Sequence, residues 1–175
     1  MTTSKFSKNK GFTLVETLVA IAILLVAVVG PISLIGDALH KLYYAKDEMI
    51  AINIAQEGIE TVRWKRDSNM LSAVAWDTGI TAGYYIIDPG ALGAPVVATT
   101  CIGACLVDLK PIYFDATSGL YRQNVVTQPT QFSRIVNIRS VNANEIKVSS
   151  TVKWRTGGQV GTITVSENLF KWALP

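Results

Sequence analysis

One histidine, two cysteines and no recognisable nucleophile or phosphate-binding motif leave this 175-residue sequence with little to catalyse a reaction. His40 sits beside Lys41 on a stretch with helical periodicity, where a solvated position explains it better than proton transfer. The spacing Cys101-Ile102-Gly103-Ala104-Cys105 misses the two-residue gap of a zinc knuckle, and no second ligand pair completes a four-coordinate site. The expectation is a protein that is not an enzyme, with no metal and no cofactor. Clustered positive charge is also scarce, so nucleic acid is not supported as a partner.

Charge is missing altogether from one long stretch. From Thr17 to Gly36 twenty residues pass without one. At about 1.5 Å rise per residue that run reaches roughly 30 Å as a helix, the thickness of a bilayer core. Lys5, Lys8 and Lys10 precede it without an acid, so the positive-inside tendency holds this end in the cytoplasm and sends the remainder outward. Glu16 stands at the start of the run. Ionised groups at the centre of membrane helices cost about 2.5–3.5 kcal/mol, less near the end, and face partners rather than lipid. A free amine at Phe12, made by hydrolysis after Gly11, would lie one helical turn from Glu16 and equally within reach of a neighbouring copy. A secretory signal or plain signal anchor shares the basic start and apolar run. Against the secretory version, the apolar run exceeds the usual length of about 7–15 residues, and Glu16 interrupts its start.

Gly11-Phe12-Thr13-Leu14-Val15-Glu16-Thr17-Leu18-Val19-Ala20 resembles the N-terminal signature of type IV pilins and of the pseudopilins of type II secretion and competence systems. The resemblance implies that a prepilin peptidase of the membrane aspartic type cuts between Gly11 and Phe12 and N-methylates Phe12. The helix would then enter a filament with other pilin or pseudopilin subunits through an inner-membrane assembly platform, Glu16 contacting a neighbour's terminal amine. Ala55-Gln56-Glu57-Gly58-Ile59-Glu60 resembles a stretch common in minor pilins of the pilus-modification type.

Residues past the membrane fit that layout. Ile35, Leu39, Leu42, Ala45, Met49, Ile52, Ala55, Ile59 and Val62 recur at spacings of three and four, predicting one apolar stripe on a continuing helix. Lys41, Lys46, Asp47, Asn53, Gln56, Glu57 and Glu60 are assigned to other faces. Gly30-Pro31 removes a backbone donor inside the helix and predicts a flexible point. The helix is expected to end near Asp67-Ser68-Asn69, with Met70 to Trp76 able to add a turn. The expected organisation is a leader over 1–11, a transmembrane helix segment over 12–36, an amphipathic continuation over 37–69 and a β-rich head over 70–175. The fold class is α+β, a long N-terminal helix packed on an antiparallel sheet.

Between Asp77 and Lys110 scattered Gly and Pro predict a connecting region, with Tyr84-Tyr85-Ile86-Ile87 as a strand and Asp88-Pro89-Gly90 as a turn. Pro111–Phe114 and Leu120–Val126 flank a hairpin loop, Asp115-Ala116-Thr117-Ser118-Gly119. Glu145 to Arg155 alternates strictly, with Ile146, Val148, Val152 and Trp154 on one face. Turns at Asn142-Ala143-Asn144 and Thr156-Gly157-Gly158 join it to Phe132–Val141 and Gln159–Phe170 as a meander. Trp76, Tyr84, Tyr85 and Trp154 read as core rather than as an adhesive patch. Cys101 and Cys105, outside the cell in an oxidising setting, read as a small-loop disulfide.

Without the leader the 16 basic and 13 acidic residues become 13 and 13. The resulting expectation is a minor filament subunit, first a single-pass precursor in the cytoplasmic membrane with its N-terminus inside and C-terminus outside, in contact with membrane lipid, then part of an extracytoplasmic filament. The alternative is a monomeric signal-anchored extracytoplasmic binding protein, which would retain residues 1–11 and tolerate changes at Glu16.

Overall fold

The computed structural model describes residues 11–88, 96–100, 110–117, 119–123 and 128–172. One helix, α1 (Leu14–Leu71), is followed by strands β1 (Gly83–Asp88), β2 (Val96–Thr100), β3 (Lys110–Asp115), β4 (Leu120–Arg122), β5 (Gln128–Asn142), β6 (Glu145–Thr156) and β7 (Gln159–Phe170). The architecture is α+β, with all strand pairings antiparallel. The chain divides into two compact units, Met1–Tyr43 and Tyr44–Pro175.

In the first unit α1 is exposed at every residue whose burial is described, and its most apolar window has a mean hydropathy of 2.9 with none of it buried. Water is a poor surrounding for such a surface, and its length suits a bilayer. The helix continues through Gly30-Pro31, although Pro31 cannot donate to the carbonyl of Ala27.

The second unit is built on β5, a 15-residue spine. Along one side it pairs with β6, which pairs with β7; along the other its N-terminal half holds β3 and β4, its C-terminal half β1 and β2. The alternation predicted for Glu145–Arg155 is present: Ile146, Val148, Val152 and Trp154 are buried, whereas Lys147, Lys153 and Arg155 are exposed. The two-residue turn Gly157-Gly158, with Gly157 at φ 58°, sets the β6–β7 register from Thr156↔Gln159 to Glu145↔Phe170 without interruption. The Asp115–Gly119 loop closes β3 onto β4 through the Gly119 amide to the Asp115 carbonyl at 2.8 Å, Gly119 taking φ 70°. The strand after it is Leu120–Arg122, shorter than predicted, and residues 124–127 lie outside the described set. The strand predicted at Tyr84–Ile87 is present within β1, which inserts beside β5, and the connection before Lys110 holds a further strand, β2, paired with β1.

The α1 stretch Tyr44–Leu71 covers the even-numbered face of β5 and β6. Ile59, Val62, Trp76, Ile80, Tyr85, Ile87, Val136, Ile138, Ile146, Val148 and Leu169 form one apolar cluster. Ala51, Ile54, Ala55, Ile112, Phe132, Val152 and Trp154 form the other. Full burial of each larger side chain contributes about 1.5–3 kcal/mol, so these clusters dominate the head's stability. Trp76, Tyr85 and Trp154 are core as expected, whereas Tyr84 is 37% exposed.

Two expectations about α1 need correction. The stripe is right at Ala55, Ile59 and Val62, but Leu42 and Met49 are 62% and 65% exposed. The face against the sheet instead runs through Asp47, Ala51, Ile54, Ala55, Gly58, Ile59, Val62 and Asn69. Small residues let the helix approach closely, and Asp47, assigned to an outer face, is buried because Thr156 Oγ1 donates to its Oδ2 at 2.6 Å. The helix itself runs to Leu71, into the stretch from Met70 that is open to an added turn. Ala73 adopts φ 55°, its amide donating to Met70 O at 3.2 Å and the Val74 amide to Asn69 O at 2.9 Å. This is a Schellman ending with alanine where glycine is usual. Asn69, read as a terminator, is helical and buried, its Nδ2 donating to the carbonyls of Trp76 and Thr78.

Candidate functional site

The local sequence explains how α1 begins. Residues 11–13 precede the helix, and Thr13 is its N-cap: the Glu16 amide donates to Thr13 Oγ1 at 3.2 Å and the Thr17 amide to Thr13 O at 3.2 Å. Thr13-Leu14-Val15-Glu16 has capping-box spacing, and the Glu16 carboxylate in the first turn complements the positive end of the helix dipole. No ion pair to Glu16 occurs among the described residues, and Phe12, Leu14 and Val15 are 80%, 80% and 70% exposed.

A Cβ built on Gly11 would meet nothing within 4 Å, and the same holds for Gly30 and Gly36. Intramolecular packing therefore imposes no demand for glycine at position 11. If glycine is needed there, the need comes from another molecule. Gly11 and Phe12 lie just before the helix and Glu16 in its first turn; Gly30 and Pro31 lie farther along it. Cys101 and Cys105 lie outside the described residues. Among the described residues no group of three His, Cys, Asp or Glu side chains gathers as a metal site.

The head holds a second constellation that the sequence reading passed over. Arg134, 1% exposed, lies between the two apolar clusters. Its Nη1 donates to Ile54 O at 2.8 Å and stands 3.6 Å from Glu57 Oε2. Its Nη2 donates to Ile87 O and its Nε to Gln123 Oε1 at 3.2 Å. Buried Asp88 faces Arg122 Nε at 3.5 Å, and Arg122 Nη1 lies 3.7 Å from Asp115. Burial pushes the Glu57 carboxyl above its ordinary range; Arg134 opposes that shift and Asp88 reinforces it. Burial lowers the Arg134 guanidinium, while Glu57 and Asp88 raise it.

Gly58 makes this arrangement fit. A Cβ there would stand 2.9 Å from Ser150 Oγ, 3.0 Å from Val136 Cγ2 and 3.4 Å from Arg134 Cδ. Within Ala55–Glu60, therefore, Gly58 permits close approach to the sheet and Glu57 meets the buried arginine. The missed signal was parity: Phe132, Arg134, Val136 and Ile138 alternate onto one face, so Arg134 had to point inward if its neighbours did. Beside this region Gln56, Ile59, Glu60, Arg63, Val165, Ser166 and Glu167 line a groove of about 400 Å³ between α1 and β7. Arg63 bridges Glu60 and Glu167 across it.

The family model described as the prokaryotic N-terminal methylation motif matches residues 6–30, which is consistent with a member of the type IV pilin and pseudopilin family. The match supports a structural subunit of type IV pilin-like or pseudopilin kind, and with the apolar start of α1 it fits a membrane-anchored precursor. No curated protein and no solved structure matches the chain.

Proposed function

We propose that this chain is a minor subunit of a type IV pilus or of a type II secretion-like pseudopilus. In this reading a prepilin peptidase removes residues 1–11, Phe12 is N-methylated, and the apolar part of α1 holds the precursor in the cytoplasmic membrane with its head outside. An inner-membrane platform then moves the subunit from lipid into a helical bundle of neighbouring subunits, with Gly30-Pro31 allowing α1 to adjust as it packs.

The observation that carries the proposal is Glu16: a carboxylate in the first turn of an exposed apolar helix, with no cation beside it among the described residues and a methylation motif around it. In lipid an ionised group seeks a partner, and the amine released at Phe12 of a neighbouring chain supplies one. The test is Glu16→Val, which leaves the apolar run longer and should insert at least as well. Intact mass should show normal loss of the leader and addition of a methyl group, while the variant disappears from the sheared-filament fraction. Glu16→Val incorporated like the parent would refute the pairing role, and a mature chain that still begins at Met1 would refute the subunit reading altogether.

A further inference from the structure

In the hairpin β6–β7 the odd-numbered residues of β7 exchange backbone hydrogen bonds with β6. The pairing Thr156↔Gln159 flanks a two-residue turn, and at the other end the Lys171 amide donates to Asn144 O at 2.9 Å, in the same register. The amides and carbonyls of Val160, Thr162, Thr164, Ser166 and Asn168 therefore point away from the sheet. Among the described residues nothing receives them, since β7 pairs with β6 alone.

Long edges of this kind are normally blunted by proline, lysine, a bulge or brevity. β7 has 12 residues, no proline, lysine or arginine, and an unbroken register. Its outward residues are mainly Thr, Ser and Asn, too small to block an incoming strand. The groove lined by Ile59, Glu60, Arg63, Val165 and Glu167 runs beside this edge, where alternate side chains of an added strand would fall. Its lining is mixed, with Ile59 and Val165 beside polar groups, and its two carboxylates exceed its one guanidinium by a single negative charge.

A second copy joined β7 to β7 would not complement this groove, because its β7 carries no lysine or arginine and brings only another Glu167. We infer that the β7 edge receives an extended strand from a different subunit of the filament, pairing through its main chain and placing a basic side chain in the groove. This rests on the filament-subunit reading.

The test is residue-resolved amide exchange on the full chain, first in detergent and then within isolated filaments. Amides of Gly161, Ile163, Val165 and Glu167 should exchange slowly in both, while those of Val160, Thr162, Thr164, Ser166 and Asn168 should slow by about 100-fold or more on assembly. In parallel, Thr162→Pro removes an outward amide without touching the β6 ladder and should lower filament incorporation at least tenfold. Thr162→Ala, which keeps the amide, should assemble as the parent does. Assembled chains whose outward β7 amides still exchange fast overturn this inference while leaving the subunit reading intact. Chains that never enter filaments overturn both.

Discussion

Adding one methyl group at Gly58 sets two known effects against each other. In an exposed helix interior Gly→Ala gains about 1 kcal/mol, because glycine loses the most backbone freedom on folding. Here the new Cβ meets Ser150 Oγ at 2.9 Å and Val136 Cγ2 at 3.0 Å, in a site where both residues are 0% exposed. The serine hydroxyl can rotate, but Val136 is held in the central strand between β1 and β6. Overpacking of this kind costs about 1–3 kcal/mol, so the balance is a net loss of about 1 kcal/mol. For a chain of this size that lowers the unfolding midpoint by about 2–4 °C. Thermal unfolding of the full chain in detergent, followed by near-ultraviolet circular dichroism, measures it, with Gly58→Leu expected to lose several times more. A higher midpoint for Gly58→Ala would show that the helix does not approach the sheet as closely as described.

Three further outcomes follow from the head. The raised Glu57 carboxyl means that the folded state holds more protons than the unfolded one between the ordinary value of 4.5 and the raised one, so its contribution is full below that window and declines as pH rises through it. Glu57→Gln should flatten this decline, which pH-dependent denaturant titrations of parent and variant would reveal as a gap that opens in the variant's favour with increasing pH; a parallel pair of curves would contradict it. Ala73→Gly should stabilise by about 1 kcal/mol by relieving the left-handed backbone at the helix end, and an unchanged midpoint would contradict the Schellman ending. Gly161→Ala places a Cβ 2.3 Å from Trp154 Cζ2, and a rigid indole packed on Tyr44 cannot yield, so a loss of about 3 kcal/mol and altered tryptophan fluorescence are expected.

The sequence alone determined those features whose cause is local or periodic. A charge-free run of membrane length, the capping spacing Thr13 to Glu16, strict alternation over Glu145–Arg155 and a Gly-Gly hairpin turn each act through nearest neighbours, so the membrane-length helix and the meander were legible. Only the tertiary structure decided which helix face meets the sheet. Hydrophobicity pointed to Leu42 and Met49, but close approach selects small residues, and that constraint exists only once Val136, Ser150 and Arg134 stand opposite Gly58. The same applies to Asp47 and Glu57, polar by type yet drawn inward by Thr156 and Arg134, partners 109 and 77 positions away. It applies again to β1, whose place beside β5 depends on long-range pairing. Short-range preferences can be read along a chain, whereas the burial of a charge depends on what the fold brings to meet it.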